Sequence, residues 1–255
     1  MSVGLFDLQG RVALVTGSGG GLGFAIARGL AQAGAKIVLN GRNVEKLRGA
    51  VTALSGQGLQ ASGYDFDITH PESVEQSIER IEVEVGPIEI LVNNAGLQRR
   101  GPLEQISQED WQAVIETNLS GAFYVGQAVA RRMIPRKRGK IINICSLMSE
   151  VGRPTIGPYT ASKGGLRNLT RAMALEWGAH NIQCNGIGPG YFVTEMTQKL
   201  KNDPQFDAWI TGRTPQGRWG NVEELIGPAV FLASDASSYV NGQLLFVDGG
   251  MLSTI

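Results

Sequence analysis

Only two of the 255 residues are cysteine and two are histidine, and each scarcity removes a class of chemistry. Cys145 lies in the apolar run KIINICS and Cys184 in NIQCNGIG, so both read as reduced thiols of a cytoplasmic protein rather than a disulfide framework. His70 and His180 are far apart in the chain and beside no acidic or cysteine cluster, which argues against a metal site. Neither sign of charge is in excess. Lys and Arg total 23 and Asp and Glu total 23, a poor endowment for a nucleic-acid or anionic-membrane partner. No run approaches the roughly 18 apolar residues of a membrane span. The start, MSVGLFDLQGRVALVTG, lacks the basic residues and long apolar stretch of a signal peptide.

What is abundant is glycine, 35 residues, placed at the ends of elements rather than in a repeat. Between the glycines, short β-branched runs alternate with longer amphipathic stretches. RVALVTG, AKIVLNG, LQASGYDFDI, IEILVNNAG, KIINICS, IQCNGIGPG and GQLLFVDGG read as strands, most too apolar to keep one face wet. The stretch from Ser107 to Ile134 reads as one long helix with Ser107 as its N-cap and with Trp111, Val114, Ile115, Leu119 and Val125 on the apolar face. Pro71 opens another helix. Strict β/α alternation predicts right-handed crossovers, and hence a Rossmann-like, doubly wound parallel sheet with helices on both faces. With no linker or repeat, residues 1–255 are expected to form one domain. Residues 191–225 are polar, aromatic-containing and inserted before the last strand, and are expected to form a substrate lid, with an extra structural helix pair as the alternative.

In VALVTGSGGGLGFAIA a strand meets a glycine turn and a helix, with Gly17, Gly21 and Gly23 in G-x-x-x-G-x-G spacing. Gly17 permits the tight turn, Gly21 lets a pyrophosphate approach the backbone, and Gly23 allows close packing of helix on strand. No Gly-Lys-Ser/Thr follows, so this is not a P-loop. About 20 residues on, where an acid would hold a ribose 2′-hydroxyl, the strand ends in VLNGRN, with Gly41 and then Arg42. A guanidinium there favours a 2′-phosphate, hence NADP(H) over NAD(H). A solvated loop arginine is the competing reading.

Tyr159 and Lys163 are four residues apart, so on a helix they share a face. An ammonium near a phenol favours the phenolate, which suits the pair to general acid–base work. Ser146 ends the preceding strand, where a hydroxyl can donate to a carbonyl oxygen.

TGSGGGLG, DFDI, NNAG, TNLSGAF, Ser146 with Tyr159-TAS-Lys163, PGYFVTE and the terminal VDGG together resemble the short-chain dehydrogenase/reductase family over essentially the whole chain. The resemblance implies a seven-stranded sheet and hydride exchange with nicotinamide. It implies Tyr159 as proton donor/acceptor, Ser146 as the donor to the substrate oxygen, and Lys163 as the ribose ligand that lowers the tyrosine pKa. Asn118 would bend its helix and hold a water of the proton relay. Asp67 and Ile68 would flank the adenine, and Asn94 would support the cofactor. Pro189, Gly190 and Thr194 would face the nicotinamide. Ser18, Leu22, Ala95, Gly96 and Phe192 complete the implied cofactor set. The implied assembly is a homotetramer, and the implied partner a small hydroxy/keto substrate.

Loops such as NNAGLQRRGPLE, NICSLMSEVGRP and GPGYFVTEMT are similar to those of family members acting on sugar acids. Of the two arginines after the NNAG strand, Arg99 is expected to grip a substrate carboxylate and Arg100 to turn outward or toward a neighbouring subunit. A broader carbonyl or diketone reductase, a 3-oxoacyl thioester reductase and a silent nucleotide-binding protein are the alternatives. The intact Asn118, Ser146, Tyr159 and Lys163 weigh against the last.

Overall fold

Residues 4–195 and 197–254 are described by a computed structural model of the chain. β-branched and leucine-rich runs become the strands Val12–Val15 (β1), Lys36–Asn40 (β2), Ala61–Tyr64 (β3) and Ile88–Asn93 (β4). Gly139–Ile144 (β5), Ile182–Pro189 (β6) and Leu244–Val247 (β7) follow. All pair in parallel, in the order β3-β2-β1-β4-β5-β6-β7. β1, β5 and β6 are buried at every residue, as strands covered on both faces must be, whereas the edge strands β3 and β7 are only partly buried.

The helices divide between two layers. Gly21–Gln32 (α1), Val44–Ser55 (α2) and Ile226–Ala233 (α9) bury Ile26, Leu30, Leu47, Leu54 and Leu232 against one face. Pro71–Glu84 (α3), Gly121–Arg136 (α5) and Gly157–Trp177 (α6) bury Val74, Ile78, Ile81, Val125, Val129 and Met173 against the other. Each such leucine or isoleucine contributes about 1.5–3 kcal/mol on burial, which makes the sheet a rigid platform. The chain reverses its direction of winding between β3 and β4, so the carboxyl ends of β1 and β4 open a crevice, the place where such folds bind ligands.

The single helix expected over 107–134 is interrupted. Ser107 does cap it, accepting from the Asp110 amide at 3.1 Å, and Gln108–Ile115 (α4) follows. Glu116–Ser120 is then a π turn before α5, a local widening common at functional sites. Trp111, expected on the buried face, stays 42% exposed, because α4 turns its Val114 side rather than Trp111 into the core. Between β6 and α9 lie Gln198–Lys201 (α7) and Pro204–Arg213 (α8). There Tyr191, Phe206 and Trp219 pack with Leu147, Met148, Ile156 and Ile210 into a separate apolar cluster. Both cysteines are free and buried. No helix among the described residues is long and apolar enough to cross a membrane.

Candidate active site

A cleft of about 470 Å³ opens at the carboxyl ends of the strands and runs from Arg42 and Asp67 to Ser146 and Tyr159. Its floor is the turn after β1. Gly17 and Gly21 have φ of +62° and +57°, in the left-handed region that glycine tolerates. A Cβ on Gly17 would meet the Ala95 Cα at 2.7 Å, and one on Gly23 would meet the Asn94 Nδ2 at 2.3 Å. A Cβ on Gly21 would meet no protein atom within 4 Å. The turn is therefore pressed onto the end of β4 on one side and bare toward the cleft on the other. Asn94 holds the contact, donating from Nδ2 to the carbonyls of Thr16 and Gly17, both at 2.9 Å. The Thr16 hydroxyl in turn accepts from the Asn94 and Ala95 amides at 3.0 and 3.1 Å.

The first turn of α1 carries no acid, so its free amides and dipole present an unopposed positive end. Bare glycine, a helix N-terminus and an elongated cleft fit a dinucleotide pyrophosphate. Leu22, Ile68, Gly96, Pro189, Gly190, Phe192 and Thr194 also line this cleft. Ser18 does not. It is fully buried and donates to the Val15 carbonyl at 2.7 Å, tying the turn to the strand beneath it.

At one end of the cleft Arg42 is exposed and donates to Asp67 at 3.4 Å. Burial alone would raise the Asp67 pKa, but the Thr69 amide and hydroxyl at 2.9 and 2.8 Å, with Arg42, outweigh it and hold the carboxyl below its usual range. No acid follows β2. Asn40 is buried and turned inward, donating to the carbonyls of Tyr64 and Phe66 at 3.3 and 3.0 Å.

At the other end, Tyr159 and Lys163 share one face of α6 below Ser146. The Lys163 ammonium is buried, donates to the Ile144 carbonyl at 2.6 Å and sits 5.7 Å from the Tyr159 ring centre. Desolvation pulls its pKa down to about 8, the Cys145 sulfur opposing. Tyr159 departs from expectation. Desolvation is the dominant influence and raises its pKa, and the Ser146 hydroxyl lowers it only in part. The phenol is a neutral acid at pH 7.

Asn118 does not line the cleft. Its amide accepts from Leu97 N at 2.8 Å and donates to Leu97 O at 2.9 Å and to the Ser162 Oγ at 3.1 Å. It pins the strand-end loop to α6. Arg99, expected to be the clamp, is half exposed and pairs with Asp110 at 3.0 Å, and neither Arg99 nor Arg100 is among the residues that line the cleft. Arg100 is the one beside Tyr191: desolvation first, then Arg153, pull its pKa down, with Tyr191 opposing. Asp110, in the first turn of α4, supplies the carboxylate that Arg99 meets at that helix's start.

Several contributors went unread in the sequence. Asn93 donates to Asn143 at 2.9 Å, and Asn143 donates to Thr170 at 2.8 Å, a buried chain that locks β4, β5 and α6 together and so sets Ser146 against Tyr159. Lys46 and Glu195 pair at 3.0 Å where α2 and the segment after β6 meet over the cleft. Asparagines inside apolar strands were the available signal for the first; nothing in the spacing linked Lys46 to Glu195.

A doubly wound parallel sheet with a glycine turn at its switch point and a Ser-Tyr-Lys group beyond it defines a nicotinamide-dependent oxidoreductase of alcohols and ketones. Residues 17–252 match the family model described as enoyl-(acyl carrier protein) reductase, and the chain belongs to the short-chain dehydrogenase/reductase family. It is 56% identical to a gluconate 5-dehydrogenase of Gluconobacter oxydans over 97% of this chain and 96% of that one. It is 52% identical to a 5-keto-D-gluconate 5-reductase of Escherichia coli K12, covering 98% and 99%. The crystal structure of a gluconate 5-dehydrogenase from Burkholderia cenocepacia in complex with NADP and tartrate superposes with a TM-score of 0.97, at 52% identity and full coverage of both chains.

Proposed function

We propose that the protein interconverts D-gluconate and 5-keto-D-gluconate, with NADP(H) preferred over NAD(H). The observation that carries this reading is the convergence of the Tyr159 phenol, the Ser146 hydroxyl and the Lys163 ammonium on one end of the cleft, with Arg100, which has no carboxylate partner among the described residues, on a neighbouring loop. The relatives named for gluconate and 5-keto-D-gluconate support the substrate.

NADP(H), when bound, supplies or receives the hydride. Gly17, Gly21, Leu22 and Gly23 would hold its pyrophosphate at the α1 N-terminus, Asp67 and Ile68 its adenine, and Lys163 its nicotinamide ribose. Ala95, Gly96, Pro189, Gly190, Phe192 and Thr194 would enclose the remainder. Arg42 selects the 2′-phosphate: no acid at the end of β2 repels it, and the guanidinium can leave Asp67 for a stronger dianionic partner.

In ketone reduction the Tyr159 phenol gives its proton to the substrate oxygen as negative charge develops there. Ser146 donates a hydrogen bond to the same oxygen, a stabilisation larger in the transition state than in the ground state. Arg100 orients the carboxylate. Asn118 serves as a positioning residue, holding Leu97 and α6 in register. The segment 191–225 acts as the substrate lid on one domain comprising the whole chain, in a cytoplasmic homotetramer.

The test is steady-state reduction of 5-keto-D-gluconate and of 2,3-butanedione, each with NADPH and NADH. The reading requires the keto acid and NADPH to be the favoured pair. Faster turnover of the neutral diketone would make the protein a broad carbonyl reductase.

A further inference from the structure

Arg153 lies in the loop between β5 and α6, six residues before Tyr159, and no step above uses it. Gly101 N donates to the Thr155 carbonyl at 3.0 Å, so this loop is tied to the one that carries Arg100. Thr155 has φ of +68°, a conformation a β-branched residue adopts at a cost. The strain is retained where the two loops meet. Across from them, the Arg153 guanidinium lies over the Phe206 ring of α8 at 5.2 Å from its centre. Phe206 packs edge-on to Tyr191 at 5.8 Å between centroids.

Arg153 is also unsatisfied. Its Nε is buried without a hydrogen-bond partner, and among the described residues no carboxylate lies within ion-pair reach. Glu150, three residues before Arg153, is engaged with Arg167, and Asp207, on the helix that carries Phe206, with Lys201 and Trp219, both at 2.6 Å. Tyr191 and Phe206 pack against the same apolar cluster as Tyr159, so this floor adjoins the catalytic phenol, and Arg100 lies close enough to Arg153 and Tyr191 to feel the charge of each. Two neighbouring cations over an aromatic floor, with no acid between them, repel each other. An anion placed between them removes that cost.

We infer that Arg153 and Arg100 together form a carboxylate subsite just beyond the Ser146–Tyr159 end of the cleft, with Arg153 as a specificity-determining residue held by Phe206 of the α8 segment. A planar carboxylate can take the fork of one guanidinium and a single bond from the other. The keto carbon is then held toward Ser146 and Tyr159 at a fixed distance from the acid group. The inference rests on the reading of the substrate as a sugar acid, and a direct binding measurement separates the two.

Arg153→Ala and Arg153→Lys are assayed with 5-keto-D-gluconate and 2,3-butanedione, and tartrate binding to the NADP⁺-loaded enzyme is measured by calorimetry. The alanine variant is expected to raise KM for the keto acid by about 10- to 100-fold, the loss of one charge-assisted bond. kcat and the diketone kinetics change little, tartrate weakens in parallel, and lysine restores part of both. Equal losses on both substrates, or unchanged keto-acid KM and tartrate affinity, overturn the subsite. If the wild type ignores 5-keto-D-gluconate but binds tartrate through Arg153, the substrate reading falls and the subsite stands. A wild type that binds no tartrate overturns the subsite. Should Arg153→Ala fail to fold, Arg153→Gln keeps the length, loses the charge and decides the same question.

Discussion

At Tyr159 one oxygen separates an acid from an inert ring. Its phenol is protonated at neutral pH, desolvation raising its pKa further, and no histidine lines the cleft to replace it. Tyr159→Phe is therefore expected to lower kcat by about 10²–10⁴-fold, the usual contribution of general acid–base catalysis, while NADPH affinity stays near wild type. Retention of a tenth of the rate would remove Tyr159 from the role. Residue chemistry also governs cofactor choice. A Cβ on Gly41 meets nothing within 4 Å, so an aspartate fits where the fold would otherwise place a ribose-binding acid. Gly41→Asp with Arg42→Ala should cost NADPH about 1.5–3 kcal/mol of binding and improve NADH. Fluorescence titration of both cofactors reads this directly, and an NADH preference in the wild type would refute the assignment of Arg42.

Among the elements, the glycine turn and the end of β4 behave as one joint. Their contact was legible only as a motif in each. TGSGGGLG predicted a turn over a helix N-terminus and NNAG a strand end, but that Asn94 clasps the turn's carbonyls emerges from the β1–β4 pairing. Gly23→Ala tests the joint. Its Cβ would fall 2.3 Å from the Asn94 Nδ2 and 2.7 Å from the Gly17 carbonyl, so the amide must leave both its bonds. We expect a loss of about 1–3 kcal/mol in urea unfolding, as for other overpacked sites, together with weaker cofactor binding. Loss of binding without loss of stability would mean that the glycine serves the ligand alone. The interrupted helix carries the same lesson in reverse. Apolar spacing continues through Asn118, so periodicity alone reads one helix, whereas the π turn arises where Asn118 is drawn to Leu97 and Ser162.

For the whole molecule, burial of charge makes stability depend on pH. Lys140, at the amino end of the sheet, is 5% exposed and donates to the Ser237 Oγ at 3.2 Å. Desolvation lowers its pKa to about 8, with Asp235 opposing and Arg11 adding to the shift. In the unfolded chain a lysine titrates near about 10.4. Below pH 8 both states are charged and the fold bears the full cost of the buried cation. Between about 8 and 10.4 the unfolded state binds more protons, so this contribution to stability rises with pH. Lys140→Met should thus gain most relative to wild type at pH 7 and less at pH 9.5. Urea unfolding of both proteins at the two pH values checks it, and a difference independent of pH would show that Lys140 is not buried as a cation.

The order of strands and helices, the switch-point crevice and the grouping of Ser146, Tyr159 and Lys163 were determined by local pattern: β-branched runs, glycine at the turns and a four-residue helical spacing. Each depends on neighbours in the chain, and a linear string records those. What only the tertiary structure decided were the partners of long side chains and the sign of the tyrosine shift. Arg99 and Arg100 are adjacent and chemically identical, yet Asp110 captures one and leaves the other beside Arg153, a residue contributed by a different loop. Lys163 stands one turn from Tyr159, yet its ammonium is drawn to the Ile144 carbonyl, and desolvation sets the direction of the tyrosine shift. Charge interactions and desolvation act through space, screened beyond about 8–10 Å at physiological salt, so they follow the packing of distant segments rather than position along the chain.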